Sequence, residues 1–256
     1  MVVQNALCIL HSALIKSHKI TRRTPMIIKG FAKLTLLDYP GKVACTIFTG
    51  GCNFRCPFCH NASLATRAGE VDTIPEDEIF DLLRKRKGIL DGVCITGGEP
   101  LLFGDDLKDF IIKIKELGCA VKLDTNGSFP KRLASLIEAG LIDKVAMDIK
   151  SSPEKYGLVA GVENFDISPI LESIELLKSS GIDYEFRTTV VSELHSADDF
   201  HGIGKMIEGA KAYFLQSFVD SGDLIGEGLS APTKEDMEAY RKIAEIYVPN
   251  TQIRGL

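Results

Sequence analysis

Apolar and polar positions along the chain switch repeatedly between two periods. Residues 43–49 (VACTIFT) form a short apolar run, and its length and β-branched content predict a strand. Residues 75–87 then take helical spacing, with Ile79, Leu82 and Leu83 on one face and Pro75 where a first-turn proline is tolerated. The same pair recurs. Strand spacing at 93–96 is followed by a helix at 105–117, whose Leu107, Phe110, Ile111 and Ile114 form one stripe and whose stop is Gly118. A strand at 120–124 precedes a helix at 130–139 ending at Gly140. A strand at 144–149 precedes a helix at 167–179 near Gly181. Strands at 184–191 and 212–218 precede helices at 197–208 and 234–247. Six strand-then-helix units predict right-handed crossovers and a parallel sheet.

Such a sheet is either open and doubly wound or rolled as a barrel. Unusual polar residues follow each strand: CNFRCPFC, then GGEP, DTNG and DIKSS, with Arg187 inside the fifth strand and Gln216 inside the sixth. In a barrel all C-terminal strand ends converge on one site, whereas an open sheet gathers its site at the switch point. Six clusters therefore favour a partial (β/α)6 TIM-like barrel.

Composition narrows the class. The 256 residues are 45% hydrophobic and 25% charged, which suits a globular chain and excludes collagen-like or disordered ones. No apolar run approaches the ~20 residues of a membrane span. A net charge of −5 leaves no basic footprint for nucleic acid. The charge is uneven: residues 1–25 carry Lys16, Lys19, Arg22 and Arg23 and no acid. That segment reads as a basic extension outside the fold, with residues 26–256 as one domain. It lacks the apolar stretch and cleavage site of a secretory signal.

Three of the seven cysteines, Cys52, Cys56 and Cys59, fall within eight residues as C-x3-C-x2-C. Clustering of this kind points to a metal centre in a reducing compartment rather than to disulfides. A 4Fe–4S cluster normally takes four thiolates, so three leave one iron open for chemistry. A zinc site using His60 as fourth ligand and a redox pair of Cys56 and Cys59 are the alternatives. Cys45, Cys94 and Cys119 sit in or beside apolar strands and read as buried hydrophobes.

The triplet with Phe58 before its last cysteine, followed by GGEP at Gly97, Gly98, Glu99 and Pro100, resembles the radical S-adenosylmethionine (SAM) superfamily. CHN at 59–61, DTNG at 124–127 and DIK at 148–150 resemble its activating enzymes of glycyl-radical proteins. LLDYPG at 36–41 with CNFRCPFCHN is similar to the activating proteins of anaerobic ribonucleoside-triphosphate reductase, with pyruvate formate-lyase activases as near relatives. The resemblance covers residues 27–247.

It implies that Cys52, Cys56 and Cys59 ligate three irons and that SAM chelates the fourth through its amino and carboxylate groups. Reductive cleavage of SAM then gives a 5′-deoxyadenosyl radical that takes hydrogen from a partner's glycine. Gly97 and Gly98 would allow close backbone approach, and Glu99 would accept from the SAM ammonium. Phe58 would border the adenine. Asp124, Thr125 and Asn126 would bind the ribose or, with Asp148, a monovalent cation. Lys150 would meet the SAM carboxylate. Arg187 would be a second carboxylate partner or, alternatively, a barrel ion pair. Gln216 and Phe218 would reach SAM or the incoming glycine loop, and His60 would hydrogen-bond near the cluster. Residues 38–41 would form a turn at the rim where a partner docks. His195 and His201 read as surface residues. The implied partners are a glycyl-radical enzyme, with the ribonucleotide reductase first, and a flavodoxin or ferredoxin as electron donor, in the cytoplasm. A radical SAM enzyme acting on a small molecule is the other reading.

Overall fold

A computed structural model describes residues 26–255. The basic segment 1–25 lies outside the described residues. Eight strands form one sheet in chain order. β1 (Ile28–Thr35) runs antiparallel to β2 (Ala44–Thr49). From β2 onward every pairing is parallel, through β3 (Gly92–Gly97), β4 (Ala120–Thr125), β5 (Lys144–Asp148), β6 (Asp183–Val190), β7 (Tyr213–Ser217) and β8 (Thr251–Arg254). β1 and β8 are the two edges and do not pair with each other, so the barrel is open.

The α-helices are α1 (Ala62–Thr66), α2 (Glu76–Lys85), α3 (Asp105–Glu116), α4 (Pro130–Glu138), α5 (Tyr156–Ala160), α6 (Ser168–Ser179), α7 (Ala197–Met206) and α8 (Lys234–Glu245). The stripe Leu107, Phe110, Ile111 and Ile114 of α3 is buried as its spacing requires. Capping boxes start α7 (Ser196 with Asp199) and α8 (Thr233 with Asp236).

Side chains alternate across each parallel strand. Val93, Ile95, Val121, Leu123, Val145, Met147, Tyr184 and Phe186 belong to the apolar core. Among their neighbours in sequence, which turn to the concave side, Lys122, Asp124, Asp148, Glu185 and Arg187 are charged. Lys122 pairs with Asp124, Arg187 with Asp124 and Asp148, and Glu185 with Lys144 and Arg254. Buried charges need partners, and here the strand alternation supplies them.

The six expected strands are β2 to β7. Two further strands and two short helices escape the sequence pattern. β1 (IKGFAKLT) is broken by Gly30 and two lysines, and β8 (TQIR) is only four residues long. Helices α1 and α5 have five residues each, too few for a period to register. The 38–41 turn is not at the expected rim. It enters β2 beside Ala44, which pairs with Gly92 at the opposite end of the strands from Thr49 and Gly97. Tyr39 is buried there against Gly92, and Asp38 accepts a hydrogen bond from Thr46. At ~3.3 Å per residue, one strand length separates this turn from the functional end.

Candidate cofactor site

β2 runs out at Thr49, and the chain crosses Gly50 and Gly51 into the cysteine loop. Three neighbours hold that loop. The Gly51 carbonyl accepts from Glu99 N–H at 2.9 Å, and the Thr49 carbonyl from Gly98 N–H at 2.8 Å. Arg55 N–H donates to the Ala160 carbonyl at 2.8 Å, and Gly226 N–H to the Pro57 carbonyl at 2.8 Å. Phe54 is buried edge-on against Phe165, 5.6 Å between ring centres.

The result is a cavity of about 220 Å³ at the C-terminal ends of the strands. Cys52, Cys56 and Cys59 line it together with Phe58, His60, Gly98, Asp124, Thr125, Asn126, Asp148, Lys150, Arg187 and Gln216. Thr96, Thr189 and Phe54 also line it and escaped the sequence reading. Thr96 and Thr189 lie two residues beyond Cys94 and Arg187, so the strand period pointed to them.

Gly97, Glu99 and Phe218 are not on the lining. Gly97 has φ of +115°, and a Cβ there would strike the Thr49 backbone. Its freedom, like that of Gly98, serves the packing of GGEP onto the cysteine loop. The Glu99 carboxylate is wholly buried and already engaged. Oε1 accepts from Leu101 N–H at 3.0 Å and Thr125 Oγ1 at 2.8 Å, and Oε2 accepts from Asn126 N–H at 2.7 Å. These bonds make Glu99 a brace between GGEP and the end of β4. Burial raises this carboxyl to about 7 against the three donors. Phe218 is buried beside His60, 5.7 Å between ring centres.

Between Asp124 and Asp148, where a monovalent cation was expected, stands the Arg187 guanidinium. Nη1 donates to Asp124 at 3.0 Å and Nε to Asp148 at 3.0 Å. The ion-pair alternative for Arg187 is the one formed. Burial works against the Asp148 charge, but Arg187 and Lys150 outweigh it and hold that carboxyl at about 2. Lys122 completes the set through Asp124. Three cations thus face two acids, leaving one positive charge for an anionic ligand group. Lys150 presents it from 3.1 Å beside Asp148, 5.9 Å from the Phe58 ring centre.

His195 is not on the surface. It is 4% exposed, tucked into the turn after β6, with Nε2 2.9 Å from the Lys150 carbonyl. His201 is half-buried and meets Tyr247 at 3.1 Å. Cys45 and Cys119 join the apolar core, but Cys94 is buried on the concave side, 3.8 Å from Asp124.

The donor set suits an iron–sulfur cluster. Burial pushes the Cys52 thiol to about 12 and the Cys56 thiol to about 11, so both rest protonated until a metal displaces the proton. Phe54 N–H and Asn126 Nδ2 already approach Cys52 Sγ, at 3.4 and 3.9 Å. Among the described residues, no three His, Cys, Asp or Glu side chains are gathered for one metal ion. A cluster takes one thiolate per iron, so its ligands need a shared space rather than a shared point.

An open parallel barrel with three thiols at its mouth defines a class. Residues 46–201 match the family model described as the radical SAM superfamily. A protein of Methanocaldococcus jannaschii, provisionally named a glycyl-radical enzyme activating enzyme, is 34% identical over 90% of this chain and 96% of its own. The pyruvate formate-lyase 1-activating enzyme of Escherichia coli is 28% identical over 86% of this chain and 95% of its own. Streptococcus suis SuiB, solved bound to S-adenosylmethionine, superposes with a TM-score of 0.63 at 16% identity, over 80% of this chain and 48% of its own. The chain belongs to the radical SAM superfamily and, within it, to the glycyl-radical enzyme activating enzymes. Its cofactors are a 4Fe–4S cluster and SAM. Among the described residues no helix is long and apolar enough to cross a membrane.

Proposed function

We propose that this enzyme activates anaerobic ribonucleoside-triphosphate reductase by making a radical on one of its glycines. The observation that carries the activating chemistry is Cys52, Cys56 and Cys59 opening onto one cavity with the GGEP turn packed against their loop. When bound, the reduced cluster supplies the electron that splits SAM into methionine and a 5′-deoxyadenosyl radical, which takes a hydrogen atom from glycine Cα. The side chains do the holding. The three thiolates ligate the cluster, and the backbone around Gly98 sits beside them. Lys150 meets the SAM carboxylate, and Phe58 borders the adenine, where aromatic packing excludes water. Asp124, Thr125, Asn126 and Gln216 provide the polar wall for the ribose.

The choice of reductase rests on LLDYPG and CNFRCPFCHN. The Escherichia coli relative supports a second reading, activation of pyruvate formate-lyase. Electrons come from a small flavodoxin or ferredoxin, and the thiol-based centre suits the reducing cytoplasm. The test mixes reduced enzyme and SAM with each partner under anaerobic conditions. A glycyl doublet in electron paramagnetic resonance with the reductase supports the proposal. A doublet with pyruvate formate-lyase alone transfers it to the second reading.

A further inference from the structure

The β5 ladder ends with Asp148 opposite Arg187. Beyond it, Ile149 N–H donates to the Arg187 carbonyl at 2.7 Å, and the Ile149 carbonyl accepts from Thr188 Oγ1 at 2.8 Å. The next carbonyl, that of Lys150, is met by a side chain from outside the sheet, His195 Nε2 at 2.9 Å. A carbonyl only accepts, so Nε2 carries the proton. In a neutral ring Nδ1 is then bare, and Val191 N–H donates to it at 3.1 Å, with the Val191 carbonyl farther off at 3.3 Å. Burial lowers the basicity of this imidazole and keeps it in that form. One buried ring thus ties the end of β5 to the turn after β6.

The residue it holds is the one whose ammonium faces the cavity. Ser152, two residues on, is anchored separately, through its hydroxyl on Asp199 at 3.0 Å. We propose that His195 is a positioning residue for SAM: its Nε2–H fixes the Lys150 backbone so that the ammonium stays aimed at the carboxylate of the ligand. This rests on the role of Lys150 given above. Without the bond the carbonyl must turn to find another donor, and the side chain turns with it. Misplacing a binding group by about 1 Å is enough to cost large factors in a site of this kind.

Two isosteric variants separate positioning from folding. In His195→Gln the amide nitrogen stands where Nε2 stood and can still donate to Lys150. In His195→Asn the side chain reaches only the Val191 side. SAM affinity is read by equilibrium dialysis on anaerobically reconstituted enzyme, with iron content and melting temperature measured alongside. The expected result is a SAM Kd raised on the order of tenfold in His195→Asn, with iron content unchanged, and near wild type in His195→Gln. Lys150→Met is expected to weaken SAM at least as much. Equal losses in both histidine variants, or wild-type affinity in His195→Asn while Lys150→Met weakens SAM, would overturn the inference. Wild-type affinity in Lys150→Met would overturn the role of the lysine itself, and the inference with it.

Discussion

Gly98 separates two backbones that must nearly touch. A Cβ added there would lie 2.6 Å from the Gly51 carbonyl carbon and 3.3 Å from Cys52 N, and closer still to the Gly51 oxygen. Both neighbours are main chain, so no rotamer change relieves the clash. The GGEP turn and the cysteine loop must part by about an ångström or more. Overpacking of this kind costs about 1–3 kcal/mol. The Glu99 N–H to Gly51 carbonyl bond, 2.9 Å in the native chain, is stretched at the same time and adds about 1 kcal/mol. For a chain of this size the sum lowers Tm by roughly 4–16 °C. Displacing the cluster loop by about 1 Å relative to SAM is expected to lower reductive cleavage about 100-fold. The assay for Gly98→Ala is differential scanning fluorimetry of the apo-protein, then 5′-deoxyadenosine release from reconstituted, dithionite-reduced enzyme with SAM. Gly69→Ala is the control, because its Cβ meets nothing within 4 Å. Wild-type melting and wild-type release in Gly98→Ala would refute the reasoning.

Other perturbations probe the network around the cavity. Burial raises the Glu99 carboxyl to about 7, above its value in the unfolded chain, so its stabilising contribution is full below pH about 4.5 and is lost as pH rises through about 7. Between those limits wild-type apo-protein should therefore lose about 3 kcal/mol relative to Glu99→Gln, measured by urea unfolding at several pH values, and parallel curves would contradict this. Arg187→Leu leaves the half-buried Asp124 and Asp148 with only their lysines and should cost about 2 kcal/mol in the same assay, a loss below ~1 kcal/mol counting against the bridge. Asp223 accepts from Ser63 N–H at 2.9 Å and from Arg67 at 3.1 Å, pinning the segment after β7 to the start of α1. Asp223→Ala should speed iron release in air while changing stability by about 1 kcal/mol, and unchanged iron release would show that this strap does not guard the cluster.

The helix-facing half of the fold was legible in sequence because burial there is apolar and periodic. The stripe of α3 and the runs of β2 to β7 follow directly from spacing. The edge strands were not, because an edge needs no continuous apolar face and β8 is too short to show one. The site was legible where chemistry forces residue type, as at the three cysteines. Partner choice inside the barrel was less so. Glu99 and Arg187 carry charges that a ligand or a neighbouring side chain satisfies equally well on paper. Only the register of β4, β5 and β6 brings Asp124 and Asp148 onto Arg187. His195 reads in sequence as a surface residue, because its partners are backbone groups of Val191 and Lys150, which leave no trace in side-chain pattern.

The most direct measurement is electron paramagnetic resonance with hyperfine detection on anaerobically reconstituted, reduced protein, with and without SAM labelled at its carboxylate and amino groups. The expected result is about four irons and four sulfides per chain and a coupling from the labelled SAM to the cluster. A colourless protein holding one zinc, or a cluster whose spectrum ignores SAM and couples instead to the His60 imidazole, would contradict it.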